Sequence, residues 1–231
     1  MSPIDALPAI RIVAVALGDL LQDVMFVGGA ITGLLVTDPA ASASRLTDDV
    51  DVVIDVCTYP DYVKLIDRLR RLGFAEDASE GTHRFRWVIA GVRVDVMPTS
   101  PDLGPANRWY SEAIANTQIV AIDAELLVRV ISAPYFIATK LDAFGDGHRG
   151  DYLSSHDLED IIAIVDGRAT IESDVSTAPA LVRDFLRDRF RSLLADPGFV
   201  EAVAGHLLSD SASQARLPLV LSRMRAIAGT D

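Results

Sequence analysis

Two aspartates alternate with valines at the start of a strongly apolar segment. Residues 47–55 read Thr-Asp-Asp-Val-Asp-Val-Val-Ile-Asp, so that Asp49 and Asp51 lie two positions apart. Since side chains two apart point to the same side of a β-strand, these carboxylates share one face and the valines share the other. Residues 94–96 read Val-Asp-Val, which gives Asp95 the same alternation. If the two strands are neighbours, three carboxylates meet above a sheet whose other face is apolar.

Carboxylates this close together repel one another unless a cation offsets their charge. At the ~6–7 Å spacing of alternate strand residues, two of them repel by about 3 kcal/mol at an effective dielectric of roughly 20. Mg²⁺ (or Mn²⁺) offsets this repulsion, because hard cations prefer oxygen ligands and join carboxylates to substrate phosphates. A third carboxylate leaves room for two metals about 3.5–4 Å apart, one activating a hydroxyl and one steadying a leaving pyrophosphate. The pattern predicts Asp49, Asp51 and Asp95 as catalytic metal ligands, with Asp95 nearest the nucleophile as the base.

A pair of glycines, Gly28 and Gly29, follows a short apolar run upstream of these aspartates. Glycines let the backbone approach a ligand closely and expose its amide donors, and a helix that begins there favours anionic phosphate. An ordinary strand-to-helix turn is the alternative for the glycines, and solvated side chains at a strand end are the alternative for Asp49 and Asp51. The two motifs together favour a phosphate site.

Strands and helices must hold these residues in place, and the pattern of the first half predicts an α/β domain. Apolar spacing near 3.6 residues predicts helices, alternation predicts strands, and the pair Ala90-Gly91 predicts a tight hairpin turn. The predicted elements are a helix over 5–22, strands over 25–27 and 50–56, a helix or turn over 30–36, a helix over 59–72, a hairpin of 83–89 with 92–97, and short strands over 119–120 and 126–130.

From Pro134 onward the apolar spacing is helical to the end of the chain. Helices are predicted over 135–144, 155–165, 180–194 and 217–227. We therefore predict an α/β (α+β) fold, in which a small mixed sheet with flanking helices spans residues 1–131 and a helical domain spans residues 132–231. The late helices either cover the first half or bind a partner.

The composition bounds the partners of the chain. It carries 21 basic and 33 acidic residues, a formal charge of −12, which disfavours non-specific nucleic-acid binding because such binding depends on neutralising phosphates. The single cysteine, Cys57, ends an apolar run and is predicted to be a small buried side chain. No apolar run reaches the ~18 residues of a membrane span, and the N-terminal apolar stretch lacks a basic lead, so we predict a cytoplasmic protein.

The chain resembles the nucleotidyltransferase superfamily related to DNA polymerase β. The likeness lies in the order of its motifs, which is two glycines, then Asp-x-Asp, then a third aspartate on a strand. More narrowly, the chain resembles the abortive-infection AbiEii group. The residues that carry this likeness are Thr-Asp-Asp-Val-Asp at 47–51, Ala-Pro-Tyr-Phe-Ile-Ala-Thr-Lys at 133–140 and Ser-His-Asp-Leu-Glu-Asp-Ile at 155–161. Members of that group include nucleotidyltransferase-like toxins of bacterial toxin–antitoxin pairs, which implies an antitoxin protein as a partner.

The resemblance implies roles for several residues. Gly28 and Gly29 would hold the triphosphate of an NTP substrate, and Asp49, Asp51 and Asp95 would form the acidic metal-binding set. Lys140 would reach a phosphate, which suits a compact charge on a flexible stem.

Two further acidic residues have two interpretations. Asp157 and Asp160, three apart on one helix face, would orient Lys140 or Arg149. The alternative is a helix N-terminus that carries stabilising negative charge, with His156 exposed beside it.

The chain departs from the family directly after the glycines. The family commonly has Ser or Thr there, whose hydroxyl contacts phosphate, whereas this chain has Ala30. Thr32 is the nearest hydroxyl that would take its place in nucleotide binding. The departure motivates a second hypothesis, a non-catalytic nucleotide-binding or partner-binding protein that retains the fold.

The leading hypothesis is an enzyme that transfers a nucleoside monophosphate from an NTP to an acceptor hydroxyl. The acceptor is RNA (including tRNA ends), a protein side chain or a small molecule. Two arginine triplets, 84/86/93 and 183/187/191, are either basic strips for an acceptor or solvated faces. A metal-dependent glycosyltransferase, which also uses Asp-x-Asp, is a third hypothesis that leaves Asp95 unexplained.

Overall fold

The computed structural model of the chain describes residues 6–41, 45–79, 84–147 and 151–230. Elements of the first half are α1 (Ala6–Leu17), β1 (Val24–Val27), α2 (Thr32–Leu35), β2 (Val50–Ile54), α3 (Tyr59–Arg71), β3 (Ala75–Glu76), β4 (Arg86–Ile89), β5 (Val92–Pro98), α4 (Tyr110–Ala113), β6 (Thr117–Ala121) and β7 (Leu127–Ile131). Short 3₁₀ turns are found at Gly18–Asp23, Gly29–Ile31 and Ile114–Asn116.

The second half of the described chain is helical. Its elements are α5 (Ala133–Gly147), α6 (His156–Gly167), α7 (Ile171–Thr177), α8 (Ala180–Leu194), α9 (Pro197–Val203), a 3₁₀ turn (Ala204–His206), α10 (Ser211–Gln214) and α11 (Leu217–Ala228). Together with the mixed sheet described next, these helices confirm the predicted α/β fold class with a helical C-terminal region.

The described strands form one seven-stranded sheet in the order β3-β4-β5-β2-β1-β7-β6. Strand β2 pairs parallel with β5, and β1 pairs parallel with β7, while the remaining neighbours are antiparallel. The valines of β2 and β5 that face away from the aspartates are fully or almost fully buried: Val50, Val52, Val94 and Val96. Helix α1 buries Ile10, Val13 and Leu17 and packs across β2, β4 and β5.

The chain divides into two compact units. One comprises Met1–Ile31 and Arg45–Ser132, which include the whole sheet, and the other comprises Thr32–Ser44 and Ala133–Asp231. The second unit has a core of its own, in which α5 packs on α6 and α8, and α11 packs on α8. The segment that begins at Thr32 belongs to this second unit, because α2 packs on α6.

Most predicted elements of the first half are confirmed within a few residues, and the differences have local causes. The predicted helix over 5–22 ends as an α-helix at Leu17, because Gly18 adopts a left-handed φ of 52° and a 3₁₀ turn follows. The strand predicted over 50–56 ends at Ile54. The two-residue strand β3 and the short helix α4 carry too little periodicity to be predicted from the sequence. Asp5, His83 and Arg149 lie outside the described residues.

One prediction about the surface is wrong. Cys57 is exposed rather than buried, because β2 has already ended before it and the chain is turning toward α3. Its Sγ lies 3.5 Å from Asp55 Oδ1. Among the described residues, no helix combines the length and the apolar composition that crossing a membrane requires.

Candidate functional site

A row of paired residues crosses four neighbouring strands of the first unit. Val27 on β1 pairs with Asp51 on β2, and Asp51 pairs with Asp95 on the parallel strand β5. Asp95 in turn pairs with Arg86 on β4. Because register partners point to the same face of a sheet, Asp51, Asp95 and Arg86 lie side by side on one face.

The hairpin turn between β4 and β5 sets this register. Ala90 and Gly91 have φ values of 47° and 82°, as a two-residue turn that matches the twist of a hairpin requires. A slip of one residue would move Arg86 to the other face of the sheet. The turn that the sequence predicted therefore decides which side chain stands beside Asp95.

Arg86 joins two of the three predicted aspartates. Its Nε donates to Asp95 Oδ1 at 2.7 Å, and its Nη2 donates to Asp95 Oδ2 at 2.7 Å and to Asp49 Oδ2 at 2.7 Å. The side chains of Arg86, Asp49 and Asp95 are 19%, 23% and 10% exposed. Two-pronged pairing of a guanidinium with a carboxylate is among the strongest hydrogen-bonding arrangements of side chains.

The negative charge of Asp49 is not fully balanced by its surroundings. Burial raises the pKa of Asp49 above its ordinary value, and repulsion from Asp95 raises it further, while Arg86 and Arg93 act in the opposite sense. The hydrogen bonds to Asp95 raise the pKa of Arg86, so Arg86 stays charged. The ionised form of Asp49 is therefore under-compensated, which is the condition under which a carboxylate attracts a further cation.

Gly28 lies against the third aspartate. A Cβ atom built at Gly28 would stand 1.9 Å from Asp51 Oδ2 and 2.7 Å from its Cγ, and Gly28 has a φ of 73°. Gly29 begins a buried 3₁₀ turn immediately afterwards. The predicted glycine pair and the predicted Asp-x-Asp motif are thus in direct contact, because only a glycine leaves room for the carboxylate of Asp51.

The residues present suit one divalent ion better than two. Within the described part of the chain, no three acidic, histidine or cysteine side chains are arranged to hold a metal ion. Arg86 takes both oxygens of Asp95 and one of Asp49, whereas Asp49 Oδ1 makes no hydrogen bond within the described residues. Since Mg²⁺ in nucleotide sites is commonly held by one or two carboxylates plus phosphates, Asp49 and Asp51 are the residues that would hold such an ion. The three-aspartate metal set stays a prediction.

A second charged cluster lies within the other unit. Lys140 Nζ is 2.9 Å from Asp157 Oδ1 and 2.8 Å from Asp160 Oδ2, and Thr32 Oγ1 donates to Asp160 Oδ1 at 3.4 Å. Burial alone lowers the pKa of Lys140, but Asp160 and Asp157 outweigh burial and raise it. Asp160 is 1% exposed. Lys140 is thus paired with both aspartates, which is one of the two arrangements that the sequence left open for them.

The start of α6 explains this geometry. Ser155 caps the helix, since its side chain accepts from Leu158 N, and the cap places Asp157 and Asp160 one turn apart on one face. His156 points elsewhere: it is exposed, and its Nδ1 lies 3.1 Å from Glu159 Oε2.

Ala30, the residue that departs from the family pattern, is buried.

Sequence reasoning missed Arg86 as a partner of the aspartates and Tyr110 as their neighbour. The sequence leaves Arg84, Arg86 and Arg93 as either a basic strip or a solvated face. In the structure Arg84 donates to Leu103 O, and Arg93 lies 4.0 Å from Asp48. Tyr110 is near enough to Asp51 for that charge to raise its pKa, after the larger effect of burial. The alternation around Arg86 gave its face, but only the hairpin register gave its partner.

Similarity to known proteins is weak. No protein-family model and no curated protein matches the chain. Among solved structures, the chain is similar to the solution structure of the antibiotic-resistance factor ANT(2'')-Ia, at 18% sequence identity and a TM-score of 0.48, covering 83% of this chain and 97% of that one. This degree of similarity assigns neither a family nor an activity.

The first unit also contains a cavity of about 630 Å³ at the opposite end of β2 from Asp51, lined by Leu20, Asp23, Ile54, Asp55, Val56, Asp61, Lys64, Leu65, Arg68, Ile114, Ala115 and Arg129. Its charged groups are matched locally: Lys64 pairs with Asp61 at 2.9 Å, and Arg129 donates to backbone oxygens. The aspartate row, whose charge is not matched, is therefore the better candidate for chemistry.

Proposed function

We propose that this chain is a metal-dependent nucleotidyltransferase, which transfers a nucleoside monophosphate from an NTP to an acceptor hydroxyl. The observation that carries the proposal is the pairing of Asp51 with Asp95 on adjacent parallel strands, with Gly28 against Asp51. Asp49 immediately precedes the same strand and shares Arg86 with Asp95. This arrangement supports the proposal because it brings carboxylates from two neighbouring strands beside the glycine pair.

In the proposed reaction, the acceptor oxygen bonds to the α-phosphorus, the bond to the bridging oxygen breaks, and pyrophosphate leaves. Mg²⁺ held by Asp49 and Asp51 would supply Lewis acidity at the phosphate. Asp95, oriented by Arg86, would take the proton of the acceptor hydroxyl. Gly28 and Gly29 would offer backbone amides to the triphosphate. Positioning and electrostatics would account for most of the rate.

Within this proposal, the AbiEii likeness favours a toxin whose partner is an antitoxin protein, with RNA, a protein or a small molecule as acceptor. The described surface favours the last two. On α8, Arg187 pairs with Asp184 at 3.0 Å and Arg191 with Asp188 at 3.8 Å, so this helix alternates charges instead of presenting a basic strip. The formal charge of −12 acts in the same direction.

A labelling assay tests the proposal. The protein is incubated with each α-labelled NTP, Mg²⁺ and the three classes of acceptor, and transfer of label is measured. Asp51→Asn should abolish labelling, whereas Asp55→Asn, the same change just beyond the other end of the strand, should retain it. Equal labelling by the Asp51 variant and the native chain would discard the proposal.

A second candidate function is nucleotide binding without turnover. Ala30 supplies no hydroxyl after the glycines, and the hydroxyl of Thr32, the predicted substitute, donates to Asp160. Calorimetry separates the two functions. Metal-dependent NTP binding with no transfer to any acceptor would favour this second candidate.

A further inference from the structure

Arg86 stands where a second cation would stand in a site of three carboxylates. It lies between Asp49 and Asp95 and makes three hydrogen bonds of 2.7 Å to them. We infer that Arg86 serves as the fixed second cation of this site, so that the protein binds one divalent ion and Asp95 stays outside metal coordination. This inference rests on the proposed function.

The strand around Arg86 holds the guanidinium in place. Arg86 O accepts from Asp77 N at 3.0 Å, and the neighbouring Phe85 O accepts from Val96 N at 2.9 Å. Phe85 and Trp87, on either side, are 4% and 2% exposed. Because both flanking side chains are buried, Arg86 cannot leave the carboxylates by a shift of its backbone, and it acts as a built-in counter-ion.

The charges of the row agree with a single ion. The three aspartates and Arg86 together retain an excess of two negative charges, which one divalent ion balances. A second ion would have to displace Arg86 from Asp95, and so break a two-pronged ion pair that is only 10–19% exposed. Breaking such a pair leaves a poorly solvated arginine with only one of its two carboxylate partners, which is costly.

The hydrogen bonds of Asp95 and Asp49 also favour a single divalent ion. Both oxygens of Asp95 are engaged by Arg86, whereas Asp49 keeps Oδ1 for a metal. An ion at Asp49 and Asp51 therefore needs no rearrangement of Arg86. Asp95 then stays paired with Arg86, its positioning residue, outside the metal site.

Binding of Mn²⁺ alone, counted by electron paramagnetic resonance and calorimetry, tests this inference without any turnover. The native chain should bind one Mn²⁺ at the row, and Asp49→Asn should abolish this binding. Arg86→Gln should raise the count from one to two, because it frees both oxygens of Asp95. Arg84→Gln, the same change two positions away, should leave the count at one, as should Arg86→Lys, which keeps the charge.

Each outcome is decisive. Two Mn²⁺ ions in the native chain, or one in a folded Arg86→Gln variant, would overturn the inference while leaving the proposed function standing. No Mn²⁺ at all in the native chain, with or without NTP, would overturn both. If Arg86→Gln does not fold, the count in the native chain and in Arg86→Lys decides alone, with two ions in either refuting the inference.

Discussion

The carboxylate of Asp51 occupies the space that a side chain at Gly28 would need. A Cβ at Gly28 would lie 1.9 Å from Asp51 Oδ2, far below any contact that two such atoms make. It would also lie 2.9 Å from Asp51 Cβ, so rotation of the Asp51 side chain alone does not relieve the clash. The turn after β1 therefore packs directly against Asp51 on β2, and the position of the Asp51 carboxylate depends on having a glycine at position 28.

Replacing Gly28 with alanine should displace Asp51 and abolish transfer. Gly91→Ala is the matched control, because Gly91 also has a left-handed φ but nothing lies within 4 Å of the added Cβ. Each variant should lose about 1–2 kcal/mol of unfolding free energy from the left-handed backbone. Only Gly28→Ala should lose more than this and lose labelling, as measured by urea unfolding and the transfer assay. Equal behaviour of the two variants would show that the contact with Asp51 is unimportant.

The raised pKa of Asp49 makes a prediction about pH. A carboxyl whose pKa is raised on folding binds more protons in the native state than in the unfolded state, so its effect on stability becomes less favourable as pH rises above its ordinary value of 3.8. Asp49→Asn should therefore gain stability relative to the native chain as pH rises through this window, since the amide oxygen still accepts from Arg86. Urea unfolding at a series of pH values measures the difference.

Asp61 provides the control of opposite sign. Hydrogen bonds from Thr58 and Lys64 lower its pKa, so it stabilises the native state above its ordinary pKa and loses this effect as pH falls. Asp61→Asn should lose stability relative to the native chain as pH rises. If both variants change in the same direction, the pKa of Asp49 is not raised by its surroundings.

Removing Lys140 should destabilise the second unit strongly. Lys140→Met leaves Asp157 and Asp160 without their cation, and breaking a buried pair in this way costs about 3–5 kcal/mol. Lys64→Met removes an exposed lysine from its pair with Asp61 and should cost at most about 1 kcal/mol. Chemical denaturation measures both, and adding Asp160→Asn to Lys140→Met should recover part of the loss. Similar small losses for both lysines would mean that the buried cluster does not hold the helices together.

The sequence predicted the face of each aspartate but not their partner. Alternation in β2 and β5 placed Asp49, Asp51 and Asp95 on one side, and the Ala90-Gly91 turn predicted the hairpin, because both signals are local in the chain. The two bonds of Arg86 to Asp95 follow from this hairpin, but its bond to Asp49 depends on β2 lying beside β5, and no local pattern encodes that pairing.

The same reasoning explains the other differences. The segment 32–41 packs with helices more than a hundred residues later, and a local pattern cannot reveal such a contact. Cys57 was predicted to be buried from its apolar neighbours, but the strand had already ended. Predictions failed where an element's end or its tertiary partner mattered, and they succeeded where periodicity alone decided.

The most direct test of the acidic row is a crystal soaked with Mn²⁺ and a non-hydrolysable NTP analogue. Anomalous scattering should show an Mn²⁺ peak between Asp49 and Asp51, with the phosphates of the analogue beside Gly28 and Arg86 still bound to Asp95. An Mn²⁺ ion and nucleotide bound anywhere else, with the three aspartates untouched, would contradict the account.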